Sequence, residues 1–303
     1  MVGFSQDLKP EELRPARYFG RDFVIWRSAA GELRVFDAHC PHLGAHLGHG
    51  GKVEGESIRC PFHAWGFDGT GKCSDIPYAS RIPPKARVGA HPTLERNGTL
   101  MMWFDPAGGP PEEYVPCVEE FGADEWTPWM HRTAVIKTHP REVVENVADV
   151  AHFPLVHGNE VLSFDAAFEG PTATQSTRTT GYDKKGRLTK QRTVATYYGP
   201  AIQFSHMDGE FPTVILNAHT PINEGELELR MGLLIKGIDY ESKTGRLLGD
   251  MWIDALQEGY FQDVAIWEHK RWQDEPMLCD GDGPISDLRK WYAQFYQPAS
   301  EAT

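Results

Sequence analysis

Short apolar runs cut by turn residues fill positions 16–104. They are Phe23-Val-Ile-Trp26, Leu33-Arg-Val-Phe36, Val53–Arg59 and Leu100-Met-Met-Trp-Phe104, separated by Gly and Asn-Gly turns. This pattern predicts a small antiparallel β domain. Asp105-Pro-Ala-Gly-Gly-Pro-Pro111 forms a turn-rich boundary, and the pattern then changes. A helix-compatible stretch at 141–153 is followed by strand signals over 171–237 and a long helix near 249–271. That last segment carries an apolar stripe at Leu256, Tyr260 and Trp267. The order predicts an α+β domain, an antiparallel sheet with helices on one side. The domains expected are 1–116 and 117–303, with Pro298–Thr303 frayed.

The β domain carries an unusual donor set. Cys40-Pro-His42 and Cys60-Pro-Phe-His63 each offer one thiolate and one imidazole from a hairpin-like tip. Two Cys on one iron and two His on the other is the ligand set of a Rieske [2Fe–2S] centre, and neutral imidazoles raise its reduction potential. The alternative is a Cys₂His₂ zinc site, whose ends usually repeat one residue type. Gly44, Gly48, Gly50 and Gly51 allow tight turns and close backbone approach around the first tip. His46 and His49 do not match the ligand spacing and read as loop histidines. Cys73, Cys117 and Cys279 have no motif partners.

Composition narrows the setting. The chain has 303 residues, 40% of them hydrophobic, as in ordinary globular proteins. A net charge of −13 argues against a nucleic-acid or anionic-membrane surface. No apolar leader and no membrane-length run are visible, and the few cysteines do not resemble a disulfide framework. The expectation is a cytoplasmic protein without a transmembrane segment.

A second metal site is expected in the α+β domain. Within Glu145–His157, residues Asn146, Asp149 and His152 fall on one helical face if the helix is continuous. His157 lies beyond Pro154, where a break in the helix would swing it towards the same metal. Two His and one carboxylate hold non-haem Fe(II) with positions open for O₂. Asp263 is the carboxylate of choice, since it falls on the apolar stripe and a buried carboxylate needs a partner. Asp254 and Glu258 lie off the stripe.

Together these residues resemble Rieske non-haem iron oxygenases. Gln262-Asp-Val-Ala-Ile-Trp-Glu-His-Lys270, Asp282-Gly-Pro-Ile285 and Leu288–Tyr296 are similar to the oxygenase components of 3-ketosteroid 9α-hydroxylases and to cholesterol 7-desaturases. So are Ile76-Pro-Tyr-Ala79 and Arg81–Ala86. The chain departs from that group in being shorter, with a compact loop region expected after Phe164. The resemblance implies a Rieske domain joined to a helix-grip catalytic domain. Cys40, His42, Cys60 and His63 would hold the cluster. His152, His157 and Asp263 would hold iron, with Asp149 bridging the centres of neighbouring subunits in a homotrimer. Electrons from NAD(P)H would arrive through a flavin and iron–sulfur reductase or a ferredoxin. A hydrophobic small molecule, a steroid or related polycycle, would be hydroxylated. The pocket is expected on Ile202–His206 and Thr213–His219, with Phe204, Val214 and Leu216 as apolar lining and Asn217 and His219 as polar contacts. The alternatives are an aromatic-ring (di)oxygenase, a sterol desaturase, or a Rieske electron carrier lacking catalytic iron.

Overall fold

A computed structural model describes residues 1–112, 114–182, 187–209 and 211–296. The fraying expected at Pro298–Thr303 lies outside the described residues. The chain divides into two compact units, Met1–Glu113 with Pro221–Glu224, and Tyr114–Thr220 with Gly225–Thr303.

The smaller unit is built from short strands. One four-stranded sheet runs in the order Leu13–Tyr18, Arg21–Arg27, Leu33–Asp37, Ala90–His91. A second runs Lys52–Glu54, Ser57–Arg59, Gly66–Asp68, Cys73–Asp75. The run expected as one strand at 53–59 is a hairpin, because Gly55 turns the chain at φ +60°. Trp26, Phe36, Leu47, Ile58, Trp65 and Phe67 form the core, and Cys40 and Cys60 are anchored in it.

The larger unit centres on a seven-stranded sheet. Its strands are β1 (Met130–Ile136), β2 (Glu160–Glu169), β3 (Thr172–Tyr182), β4 (Leu188–Tyr198), β5 (Ile202–Asp208), β6 (Thr213–Asn223) and β7 (Glu226–Ile235). Spatial order is β1-β7-β6-β5-β4-β3-β2, a meander with β1 returning to pair with β7. Thr and Tyr are the commonest residues of β3 and β4, and both suit a pleated surface. The loop expected after Phe164 is instead part of β2. Its alternating exposure and its pairing with β3, from Phe164↔Thr177 to Glu169↔Thr172, make it an edge strand.

Four helices accompany the sheet: α1 (Pro140–Glu145), α2 (His152–Val156), α3 (Lys243–Trp267) and α4 (Ile285–Tyr292). The helix α3 starts earlier than expected, at a Ser242 cap whose hydroxyl accepts the Gly245 N–H. Its Ile253, Val264 and Trp267 pack with Met130, Leu229 and Met231 of the sheet. The expected continuous helix at 141–153 is corrected to two short helices with a turn between them. Gly283 packs so closely that a Cβ there would lie 1.8 Å from the Ala148 carbonyl oxygen. The Asp149 carboxylate accepts the His152 N–H at 3.3 Å, a local side-chain to backbone bond that competes with helix continuation, and the chain re-enters a helix only after the Ala151 N-cap. Pro154 therefore breaks nothing. It sits in the first turn of α2, where its missing N–H has no partner to lose.

Candidate metal centres

The two tips of the smaller unit are built alike. Gly44 N–H returns to Cys40 O at 2.9 Å, and Ala64 N–H to Cys60 O at 3.1 Å. The cysteine amides bond the Ala45 and Trp65 carbonyls, each at 2.9 Å. Both turns close through positive φ, +77° at Gly44 and +58° at Ala64. A non-glycine residue there is held in place by its surroundings.

The side chains converge between the tips. The His42 and His63 rings are 4.7 Å apart, and His42 stacks on Trp65 at 4.6 Å. Nδ1 of His63 is buried without a hydrogen-bond partner, which suits a nitrogen reserved for a metal. Burial pushes the Cys40 thiol up to about 11, and the neighbouring Cys60 thiol acts in the same direction. A metal must displace that proton. Tetrahedral zinc would bring all four donors within roughly 4 Å of one another. Among the described residues, the one group of three or more such donors lying within 4.8 Å of one another is elsewhere.

That group is His152, His157 and Asp263. The two histidines stand at opposite ends of α2, their rings 5.2 Å apart. His152 Nδ1 lies 2.6 Å from the Asp149 carbonyl oxygen, and His157 Nδ1 lies 2.9 Å from Gln262 Oε1. Each Nδ1 thus donates outward and leaves Nε2 as the nitrogen turned to the metal side, that of His157 lying against Asp263, the arrangement that fixes the tautomer of metal-binding histidines. Asp263 is 6% exposed on α3. Its Oδ2 is 3.3 Å from His157 Nε2 and accepts from Asn146 Nδ2 at 3.1 Å. The Asp263 carboxylate holds the His157 imidazole above its ordinary value against the opposing effect of burial. For Asp149, burial opposes ionisation, but bonding to His152 outweighs it and holds the carboxyl below its usual range. Asp254 points away and pairs with Arg132 at 2.8 Å, and Glu258 is exposed.

The donors border a cavity of about 460 Å³ between the sheet and α3. Val147, Phe153, Leu256 and Tyr260 line its helical side, while Gln175, Thr177, Thr193, Gln203 and Ser205 line its sheet side. No Lys or Arg is among the described lining residues. This corrects the expected pocket. On β5 the lining residues are 203, 205 and 207, and on β6 it is Ile215, so Phe204, Val214 and Leu216 point to the opposite face. Asn217 shares the cavity's face but bonds Gln203 from behind, at 3.0 Å. His219 is 0% exposed and bonds the Pro200 carbonyl instead. Gln262, and Asn146 as a partner of Asp263, were not singled out from sequence. Nothing but their adjacency to the motifs marked them.

Comparison with known proteins agrees over the full length. A Rieske [2Fe–2S] domain model matches residues 1–88, and a 3-ketosteroid 9α-hydroxylase C-terminal domain model matches residues 102–296. A 3-ketosteroid-9-alpha-monooxygenase oxygenase component of Rhodococcus rhodochrous is 40% identical, covering 98% of this chain and 80% of its own. A cholesterol 7-desaturase of Xenopus laevis is 31% identical over 96% of this chain and 70% of its own. Among solved structures, dicamba monooxygenase bound to dicamba superposes with a TM-score of 0.77 at 15% identity, covering 97% of this chain and 95% of that one.

Proposed function

The chain belongs to the 3-ketosteroid 9α-hydroxylase family of Rieske oxygenases, and from that premise we propose that it is the terminal oxygenase hydroxylating a ketosteroid or a related polycyclic ketone. The observation that carries this reading is the His152–His157–Asp263 group bordering a cavity between the sheet and α3, in a chain that also holds the paired Cys–His tips. A pure electron carrier has no use for that group.

Cys40, His42, Cys60 and His63 would hold the [2Fe–2S] cluster, within a Rieske domain spanning 1–116. His152, His157 and Asp263 would hold Fe(II) within the catalytic domain, 117–303. When bound, these groups supply stored electrons and O₂ activation for C–H oxidation. The protein supplies geometry. Asp149 and Gln262 orient the two imidazoles, and Asn146 holds the Asp263 carboxylate. The apolar side of the cavity takes a hydrocarbon skeleton and excludes water from the reacting face. An aromatic acid is disfavoured because no described lining residue is a cation that would pair with a buried carboxylate. Electrons would come from NAD(P)H through a separate reductase, as the component naming of the relatives implies.

A homotrimer is part of this reading. Leu43 and Phe62 beside the cluster histidines are 65% and 61% exposed, and Leu155 between the iron histidines is 85% exposed. Such unlike apolar surfaces suit a head-to-tail ring. It would set Asp149 between the centres of adjacent subunits.

The test is incubation of the metal-loaded protein with a compatible reductase, NAD(P)H and panels of steroids and aromatic acids. A steroid product gaining one oxygen is expected. Turnover of aromatic acids alone would overturn the substrate reading. The desaturase relative supports a second outcome, a steroid product that loses two hydrogens and gains no oxygen.

A further inference from the structure

Resting on the assignment of His152, His157 and Asp263 to iron, we infer that Lys270 is a positioning residue for that centre: by bridging Glu142 and Glu145 it clamps α1 onto the end of α3, so that Asn146 meets the Asp263 carboxylate. Lys270 Nζ lies 2.8 Å from Glu142 Oε2 and 2.8 Å from Glu145 Oε1. Both glutamates are buried on α1, 5% and 8% exposed. Lys270 stands three residues beyond Trp267, the last residue of α3.

Stability alone does not explain the arrangement. A carboxylate is costly to bury, and a buried ion pair is often no more stabilising than apolar side chains of similar volume. Burial opposes the Lys270 charge, yet the two glutamates outweigh it and hold the ammonium above its ordinary value. The second cation is Arg289 of α4, whose Nε donates to Glu145 Oε2 at 2.7 Å. Arg289 and Arg141 both stack on Trp272, their guanidinium carbons 3.8 and 4.0 Å from the ring centre. Elements distant in sequence, α1, the segment after α3 and α4, therefore meet at one charged cluster.

The cluster adjoins the iron donors through the chain. Asn146 directly follows Glu145 and ends α1, and its Nδ2 donates to Asp263 Oδ2 at 3.1 Å. Asp263 lies seven residues before Lys270. The helices α1 and α3 are thus tied twice, by charge at Glu145 and by the amide at Asn146. The charged tie is directional, since carboxylate oxygens on two residues fix where one ammonium can sit. An apolar contact at the same place would hold α1 against α3 but let it slide. A shift of Asn146 would release Asp263 Oδ2 and let the carboxylate turn away from the two imidazoles. Partners of metal ligands act on metal affinity in this way.

The experiment titrates Fe(II) anaerobically into protein that keeps its Rieske cluster but has been stripped of the mononuclear iron. Wild type, Lys270→Met, Asn146→Ala and the double variant are compared. Lys270→Met should weaken Fe(II) binding about tenfold, the lower end of the effect of removing a residue that orients a metal ligand, with the cluster absorbance unchanged. Asn146→Ala should weaken it similarly. The double variant should bind no more weakly than the weaker single variant, because both act through one link. Losses that add, or a lower melting temperature with Fe(II) affinity unchanged, would make Lys270 a structural residue only and overturn the inference. Should Lys270→Met fail to fold, Glu142→Gln takes its place in the cycle, since it keeps the side-chain volume and removes one arm of the bridge. Wild type that takes up no third iron would overturn the iron assignment itself, an outcome distinct from unchanged affinity in the variants.

Discussion

Asp263 stands at a helix position where a leucine would ordinarily sit, between Tyr260 and Val264 on the buried stripe of α3. Its neighbours are an imidazole and an amide, with no Lys or Arg ion pair to it among the described residues. Isolated burial of a carboxylate is costly, and a ferrous ion would offset that cost while completing a two-histidine, one-carboxylate set. Asp263→Ala should therefore retain the two cluster irons, lose most of the third and abolish product formation. Asp254→Ala, which removes only an exposed partner of Arg132, should retain all three. Iron per chain, with the cluster quantified separately by absorbance, checks both. A third iron bound at wild-type affinity in Asp263→Ala would remove that residue from the ligand set.

His219 shows the opposite use of a histidine. It is fully buried, and burial lowers its pKa to about 3. Unfolding exposes it to its ordinary value near 6.5, so below that pH the unfolded chain takes up a proton that the folded chain refuses. Its contribution is present above about pH 6.5 and is lost at up to roughly 1.4 kcal/mol per pH unit as pH falls towards 3. His219→Gln should flatten the acid limb of the stability–pH curve, read by denaturant melts between pH 7 and 4. A slope identical to wild type would show that this imidazole does not set acid stability.

At the scale of elements, the decisive feature is the turn between α1 and α2. Asp149 accepts the His152 N–H with its carboxylate and holds the His152 ring with its carbonyl. Replacing Asp149 by Ala should preserve the Rieske spectrum, loosen the turn before α2 by about 1 kcal/mol through one lost hydrogen bond, and remove nearly all turnover. Near-normal turnover in the metal-loaded variant would take Asp149 out of the catalytic path. Gly283 holds the same turn from outside, with no room for a Cβ against Ala148. Gly283→Ala should displace the turn at a cost of about 1–3 kcal/mol and weaken iron binding at the mononuclear site, leaving the cluster unchanged. A wild-type melting temperature and third-iron affinity would contradict that linkage.

For the whole molecule, the exposed apolar residues beside both sets of histidines are the features to test. Phe62→Asp and Leu155→Asp each place a charge on a surface proposed to be covered by a neighbouring subunit. Both should keep normal iron content, shift the molecular mass by light scattering from trimer to monomer, and lose most turnover. A fully active monomer would separate catalysis from assembly.

The candidate donors and their spacing were legible in the sequence because metal chemistry dictates residue identity, and Asp263 stood out as a candidate because a charge on an apolar stripe breaks a local pattern. The two-unit division and the antiparallel sheet were legible from strand signals and turns. The cavity wall was not. The strand β6 is buried along Thr213–Thr220 on both faces, so alternation could not say which face meets the ligand, and a register error of one residue moves every side chain across the sheet. The break between α1 and α2 was read one step too late, since Pro154 is conspicuous in sequence whereas the packing of Gly283 on Ala148 joins distant segments. Gln262 and Asn146 acquire meaning only through partners brought from far along the chain. Covalent identity thus determined which metal donors the chain is equipped with, and tertiary packing decided which side chains brace those donors and which line the cavity beside them.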